Sequence, residues 1–396
     1  MRLVIISSVY PPLCSSSAVQ TRDLSIEFAR QGHEITMIVA SPEIKEAWRI
    51  ESWNGVRVVR LKTPPTTGLD YFRRAIGEFL MPVFMLLKLR LSPLRNEKWD
   101  AVVWYSPTIF LGLVVSAIKS SSKCKAYLII RDIFPEWAVD IGLIGRGIPY
   151  RIFKAVANYQ YSVADVIGIQ AEGNRVYFAD WLKRTGRRVE VLQNWFEDKP
   201  ASDCSIFVNK TELAGRKIFV YAGNMGVAQG VGILLELAER LKQRADIGFL
   251  FVGRGNDASR LRADAKRRAL DNVVFFDEID PDEIPGLYVQ CDVGLVALDP
   301  RHKTHNIPGK FVSYMQSGLP VLASINPGND LVELITSEQV GRVCTDTSVE
   351  SMVANALELM ESIGADSGFK DRCQRLAARL FSPEVAVKQI VNALQA

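Results

Sequence analysis

A glycine-rich stretch, Tyr221-Ala222-Gly223-Asn224-Met225-Gly226-Val227-Ala228-Gln229-Gly230, joins an apolar run at 217–222 to an amphipathic run at 231–241. The first reads as a short buried strand; in the second, Val231, Leu234, Leu235, Ala238 and Leu241 recur at helical spacing. A strand that passes through glycines into a helix narrows the choice to folds assembled from β–α units. Glycine lets backbone approach a ligand closely, and a helix start offers unbonded N–H groups and the positive end of a dipole to an anion. Two readings of the loop alone remain open: a cradle for a phosphate-bearing donor, or a tight turn and nothing more.

At 396 residues the chain exceeds the size at which one core stops growing, so two domains are expected, and 48% hydrophobic residues suffice to pack them. A net charge of +4 argues against a general nucleic-acid binder but permits a local basic face. Cys14, Cys124, Cys204, Cys291, Cys344 and Cys373 form no CxxC pair and no metal-ligand spacing, which fits a reducing cytosol. The apolar run at 3–6 ends in Ser7-Ser8 and Pro11-Pro12, too soon for a signal peptide. No apolar run reaches the roughly 18 residues that span a bilayer. The expectation is a cytoplasmic protein, soluble or peripheral on a membrane.

The opening sixty residues read as strand (3–8), loop, helix (18–30, stopped by Gly32) and strand (34–40), a βαβ unit that starts a parallel doubly wound sheet, with a further strand at 55–61. Residues 70–98 then mix Phe79, Leu80, Val83, Phe84 and Leu87 with Arg73, Arg74, Lys88, Arg90, Arg95 and Lys98. Such a basic amphipathic segment suits a membrane interface, and it equally suits a helix packed on the sheet with its charges in water. Strands at 101–105, 126–130, 166–170 and 189–192 alternate with helices at 108–119, 149–163 and 174–184. Residues 193–210 read as a linker. A second series follows, with strands at 217–222, 248–253, 273–276, 293–297, 320–324 and 341–344. The inferred architecture is α/β: two Rossmann-like doubly wound domains, 1–195 and 205–381, facing a central cleft, with a last helix at 382–396 packing back on the first.

Chemistry is expected at the carboxyl ends of the strands. In the second domain these are Gly223 to Gly230, the Gly253-Arg254-Gly255 turn, and residues 301–310, which end in Pro308-Gly309-Lys310 and open a helix at 311–317. Proline at a helix start forgoes no bond, so the amides of Gly309 and Lys310 stay free for an anion, and Lys310 adds a full charge. In the first domain Arg131-Asp132-Ile133-Phe134-Pro135-Glu136-Trp137 follows a strand, and charged residues flanking aromatics there suggest function; the alternative is a structural turn with Asp132 as a helix cap. His302 with His305, and Asp280-Pro281-Asp282, lack the further ligands of a metal site, and Asp282 reads as a helix N-cap. There is no Gly-x-Ser-x-Gly elbow and no Gly-x-Gly-x-x-Gly fingerprint.

Tyr10-Pro11-Pro12, Gly32-His33-Glu34-Ile35-Thr36, the 221–230 stretch, Val252-Gly253, Cys291-Asp292-Val293-Gly294, and Pro308-Gly309-Lys310 through Gly318-Leu319-Pro320-Val321 together resemble the retaining glycosyltransferases of family four, whose fold is GT-B. Residues 131–137 and 223–230 resemble the subgroup that transfers N-acetyl-L-fucosamine or related amino sugars in bacterial O-antigen and capsule synthesis. The resemblance implies a UDP-sugar donor as co-substrate with no cofactor or metal, an undecaprenyl-diphosphate-linked saccharide as acceptor, and work at the inner-membrane surface as part of lipopolysaccharide or capsule assembly. It implies catalytic roles for Asp132, Arg131 and Glu136, and donor binding by Gly223, Asn224, Gln229, Gly230, Arg254, Pro308, Gly309, Lys310 and Glu333. It places Ser15, Ser16 and Ser17 on the acceptor loop; the basic amphipathic pattern itself points to Arg73, Arg74, Phe79, Phe84, Lys88 and Arg90 as the membrane contacts. The sequence departs from the family at several points. Ser16-Ser17 replace a glycine pair, Asn224 and Gln229 stand where an arginine and a lysine are usual, and Ser313 replaces a glutamate before Tyr314. Arg131-Asp132 occupy the place of a histidine. A nucleotide-sugar epimerase of the same fold and a non-catalytic glycan- or lipid-binding scaffold are the alternatives.

Overall fold

The computed structural model describes residues 1–396 apart from Cys14, Thr67, Leu69, Pro107, Thr185, Ser202, Val227, Ala228 and Asn306 and the side chains of Tyr71 and Phe72. Cys14, and Val227 and Ala228 of the glycine-rich stretch, therefore lie outside the described residues. The chain divides into two compact units, 1–195 with 383–396, and 196–382.

In the first unit β1 (Arg2–Ser7), β2 (Glu34–Ala40), β3 (Trp48–Trp53), β4 (Val56–Leu61), β5 (Ala101–Ser106), β6 (Lys125–Ile130), β7 (Val166–Ile169) and β8 (Arg188–Val191) form one sheet, ordered β3-β4-β2-β1-β5-β6-β7-β8. All pairs are parallel except β3 with β4. The helices are α1 (Ser16–Arg30), α2 (Tyr71–Leu91), α3 (Gly112–Ser122), α4 (Glu136–Asp140), α5 (Ile148–Val163) and α6 (Ala179–Leu182). Alternate residues of each central strand enter opposite cores. Val4, Ile6, Val102, Trp104 and Leu128 pack with Met81 and Met85 of α2, Val114 of α3 and Ala157 of α5. Leu3, Ile5, Val103 and Ile129 pack with Leu24 and Phe28 of α1. Near-continuous apolar strands are what a parallel sheet covered on both faces demands.

In the second unit β9 (Lys217–Ala222), β10 (Ile247–Val252), β11 (Val273–Phe276), β12 (Val293–Ala297), β13 (Val321–Ser324) and β14 (Gly341–Cys344) form a parallel sheet ordered β11-β10-β9-β12-β13-β14. Its helices are α7 (Gly232–Arg240), α8 (Ala258–Arg267), α9 (Ile284–Tyr288), α10 (Gly309–Gln316), α11 (Asp330–Ser337), α12 (Val349–Ala365) and α13 (Phe369–Leu380). The last helix, α14 (Pro383–Gln395), belongs to the first unit, where Val387, Ile390 and Leu394 join the core on the α1 side. In each sheet the chain winds outward in both directions from one seam, β1 beside β5 and β9 beside β12. Ligands of such sheets bind outside the carboxyl ends at that seam.

Four readings of the sequence need correction. Residues 193–210 are not a free linker: Trp195 is fully buried in the first unit, while Val208 N donates to Gln290 Oε1 (3.0 Å) and Gln290 Nε2 to Ile206 O (2.9 Å) within the second. Asp280 rather than Asp282 caps the turn ahead of α9, its carboxylate accepting from Asp282 N at 2.9 Å. Residues 174–184 form a 3-10 stretch (Glu172–Phe178) followed by the single turn α6, not one helix. β3 and α4 were not anticipated. Among the described residues no helix is long and apolar enough to cross a membrane.

Candidate functional site

β9 and β10 end side by side, and the loops leaving them are laced by backbone. Gly223 N donates to Val252 O (2.9 Å), Met225 N to Arg254 O (2.7 Å) and Asp257 N to Met225 O (3.0 Å). Glycine makes this possible: Gly253 (φ +142) and Gly255 (φ +151) lie where side chains are strained, and a Cβ on Gly253 would stand 2.1 Å from Gly223 O. A Cβ on Gly230 would reach the Asp299 backbone at 3.2 Å, so the far end of the loop sits against the end of β12.

α10 begins beside this loop. Its N-cap, Pro308, is extended and supplies no side-chain acceptor, which leaves first-turn amides available to an anion. Tyr314 anchors the helix from below, its hydroxyl donating to Val220 O (3.0 Å) and approaching Leu295 O (3.2 Å). Lys310 turns back toward β9: Nζ donates to Gln229 Oε1 at 2.8 Å and lies 4.5 Å from the centre of the Tyr221 ring. Among the described residues no carboxylate pairs with it. Desolvation with no opposing charge lowers its pKa to about 7.

The structure thus gathers Gly223, Gln229, Gly230, Pro308, Gly309 and Lys310 of the expected donor residues. Arg254 is adjacent through its backbone, but its guanidinium pairs with Glu278 at 2.9 Å and points to solvent. Asn224 is exposed, and its carbonyl accepts from Tyr221 Oη at 2.6 Å. Glu333 is exposed on α11, where it lines an open hollow with Gly328, Asn329 and Asp330. Sequence reasoning assigned no role to Tyr221, to Asp299, whose carboxyl Arg301 holds below its usual range at 2.7 Å, or to Asp330, which His305 Nδ1 meets at 2.7 Å. Their shared signal is position: Asp299 follows β12 and Asp330 opens the helix after β13.

In the first unit Ser15 is the N-cap of α1, its hydroxyl accepting from Ala18 N at 3.2 Å, with exposed Ser16 and half-buried Ser17 in the first turn. Arg60 donates to Pro11 O at 2.6 Å and holds the same loop. Arg131 and Glu136, expected to be catalytic, are engaged structurally. Arg131 is buried, donates to Leu192 O (2.7 Å) and Gln193 O (3.2 Å), and lies 4.5 Å from the Trp195 ring. Glu136 is ion-paired with Lys154 of α5. Asp132, between them in sequence, is exposed just beyond β6. Surrounding protein pushes its carboxyl above the usual range while Arg131 pulls it back, and because the residue meets solvent, water tempers the rise.

Residues 216–362 match the family described as Glycosyl transferases group 1. The matched stretch lies within the second unit. Over 374 residues the chain is 24% identical to the putative colanic acid biosynthesis glycosyl transferase WcaI of Escherichia coli (strain K12), covering 89% of this chain and 91% of that one. Among solved structures it is similar to sucrose-phosphate synthase from Thermosynechococcus elongatus, with a TM-score of 0.77, 15% identity and coverage of 99% and 98%. It is also similar to Anabaena HepE in complex with UDP and glucose, with a TM-score of 0.72, 15% identity and full coverage of both chains. These likenesses show the fold, GT-B. Within the matched stretch, the edge just described is where β9, β10, β12 and α10 converge.

Proposed function

We propose that this chain is a retaining glycosyltransferase that moves a sugar from a UDP-sugar to a lipid-linked acceptor in bacterial surface polysaccharide synthesis. The observation that carries the reading is Lys310, a half-buried amine at a helix start beside a glycine loop, with no carboxylate paired to it among the described residues. As the glycosidic bond breaks, charge gathers on the leaving diphosphate, and Lys310 with the amides of α10 would stabilise it. No metal or cofactor is needed for that step. HepE, bound to UDP and glucose, supports the choice of nucleotide, and the relative named for colanic acid biosynthesis supports the pathway class. The resemblance of residues 131–137 and 223–230 favours an N-acetylated deoxyamino sugar such as N-acetyl-fucosamine.

Lys310→Ala is expected to weaken UDP-sugar binding by about 1.5–3 kcal/mol, the worth of a hydrogen bond to a charged group, which is roughly 10- to 150-fold in Kd. Calorimetric titration of the folded variant checks it, and unchanged affinity sinks the donor site. Incubating the protein with a labelled UDP-sugar and a lipid extract tests the activity itself. Label in the lipid phase supports the transferase, and an epimerised donor with no transfer supports the epimerase instead.

The acceptor class is supported by α2. Met81, Met85 and Leu89 face the core, while Ile76, Phe79, Leu80, Val83, Phe84, Leu87 and Leu91 remain between 37% and 68% exposed. Arg73, Arg74, Lys88 and Arg90 accompany this apolar row, and Ile148 and Ile152 of α5 are exposed as well. The reading is an interfacial helix on an anionic membrane surface. Each basic residue near such a surface contributes about 1 kcal/mol. Changing Arg73, Arg74, Lys88 and Arg90 together to glutamate should abolish co-sedimentation with phosphatidylglycerol vesicles while the melting temperature barely moves. Parent-like binding would place the attachment elsewhere.

A further inference from the structure

Lys310 is held by an unusual partner. A half-buried lysine ordinarily pairs with a carboxylate; here the nitrogen donates to the neutral amide oxygen of Gln229 at 2.8 Å and sits over the Tyr221 ring. The acidic groups at this edge are engaged by other side chains. Asp299, after β12, is bound by Arg301; Glu278, after β11, by Arg254; Asp330, on α11, meets His305. Glu333 on α11 is exposed. Tyr221 on β9 and Tyr314 on α10 are buried phenols with pKa values raised by burial, and both donate to backbone carbonyls. Nothing described on β9, β10, β12 or α11 gives Lys310 a counter-charge.

We propose that Gln229 is a positioning residue for Lys310: it holds the amine over Tyr221 without supplying charge, and the donor's diphosphate takes Lys310 from it as the ammonium. The inference rests on the donor-site reading above. No covalent bond changes in this step. The lone pair of Nζ accepts a proton from water or buffer, the hydrogen bond to Gln229 Oε1 is lost, and one from the ammonium to a phosphate oxygen forms. With its pKa lowered to about 7, Lys310 is mostly neutral above that pH in the donor-free protein, whereas the diphosphate binds the ammonium form. Binding therefore takes up a proton, and affinity falls as pH rises. A carboxylate in the place of Gln229 would keep the lysine charged and compete with the phosphates.

The test is calorimetric titration of the full chain with UDP-glucose at pH 6, 7 and 8, each in buffers of different ionisation enthalpy. The expected uptake is about 0.1, 0.5 and 0.9 proton per UDP-glucose bound, with Kd weakening about tenfold from pH 6 to pH 8. Lys310→Met should take up none. Gln229→Glu should abolish the uptake at pH 8 and weaken binding at every pH. Gln229→Met, which removes the acceptor that favours the ammonium, should raise the uptake at pH 7 above half a proton. A structural role for Gln229 would change affinity or melting temperature and leave these proton numbers alone. UDP-glucose binding without proton uptake at pH 8, or parent-like uptake in Gln229→Glu, overturns the inference and leaves the donor site standing. Absence of binding at every pH overturns the donor site and the inference with it.

Discussion

Asp132→Asn should lower turnover by about two orders of magnitude or more while UDP-sugar affinity stays near that of the parent, because the residue lies in the first unit and the donor residues lie in the second. The substitution keeps the shape of the side chain and removes only the charge and basicity. Asp132 is the one carboxylate of the 131–137 stretch still open to solvent: Arg131 is fixed on the carbonyls after β8 and Glu136 on Lys154. A carboxyl whose pKa is raised is a better proton acceptor than an ordinary one, and it must be ionised to act. Activity should therefore fall as pH drops through that raised value, and the acid limb of the rate profile should vanish in the variant. Steady-state kinetics against acceptor, with calorimetry against donor, separates the cases; equal loss of donor affinity would assign Asp132 to folding or donor binding.

Gly253→Ala carries the largest expected cost in stability. The new Cβ would stand 2.1 Å from Gly223 O, in a backbone region that side chains rarely adopt, and its neighbours there are backbone atoms of the other loop rather than a side chain able to swing aside. The two loops must separate, which breaks the lacing between β9 and β10. A loss of about 3 kcal/mol or more follows, lowering the melting temperature of the second unit by roughly 10 °C. Stabilisation by UDP-sugar should shrink with it, since Gly223 and Lys310 would no longer be held together. An unchanged melting curve would show that the loops are not in contact as described.

The second unit was the more legible half of the chain. Four of its six strands have the bounds read from the sequence: β9 and β12 are buried along almost their whole length and leave an uninterrupted hydrophobic signature, and the edge strands β11 and β14 keep theirs although only partly buried. β3 escaped for the converse reason. It is an edge strand whose residues are mostly exposed, so its run Trp48–Trp53 carries no apolar pattern. Its signal was the turn: Asn54 (φ 48) and Gly55 (φ 78) are the Asn-Gly pair that a tight hairpin favours. At the site, Pro308-Gly309-Lys310 announced itself because helix-start chemistry is local. Arg131 was not legible in the same way, because its partners, Leu192 O, Gln193 O and Trp195, are about sixty residues away, and no spacing rule reports that a charged side chain is committed to distant carbonyls. Tyr221 lay in the quoted motif, yet only the return of Lys310 across the loop shows what its ring is for.

The placement of α14 has a consequence for how the molecule is made. Val387, Ile390 and Leu394 fill the face of the first sheet that α1 covers, yet they are translated only after all of residues 196–382. At common elongation rates the ribosome needs about 10–40 s to pass through that insert. During that interval the earlier unit waits with part of its apolar surface uncovered, and the later one becomes complete in sequence before it does. Maturation therefore runs against the order of synthesis: the half begun first is the half finished last, and nascent-chain chaperones have their longest opportunity on the α1 side of its sheet.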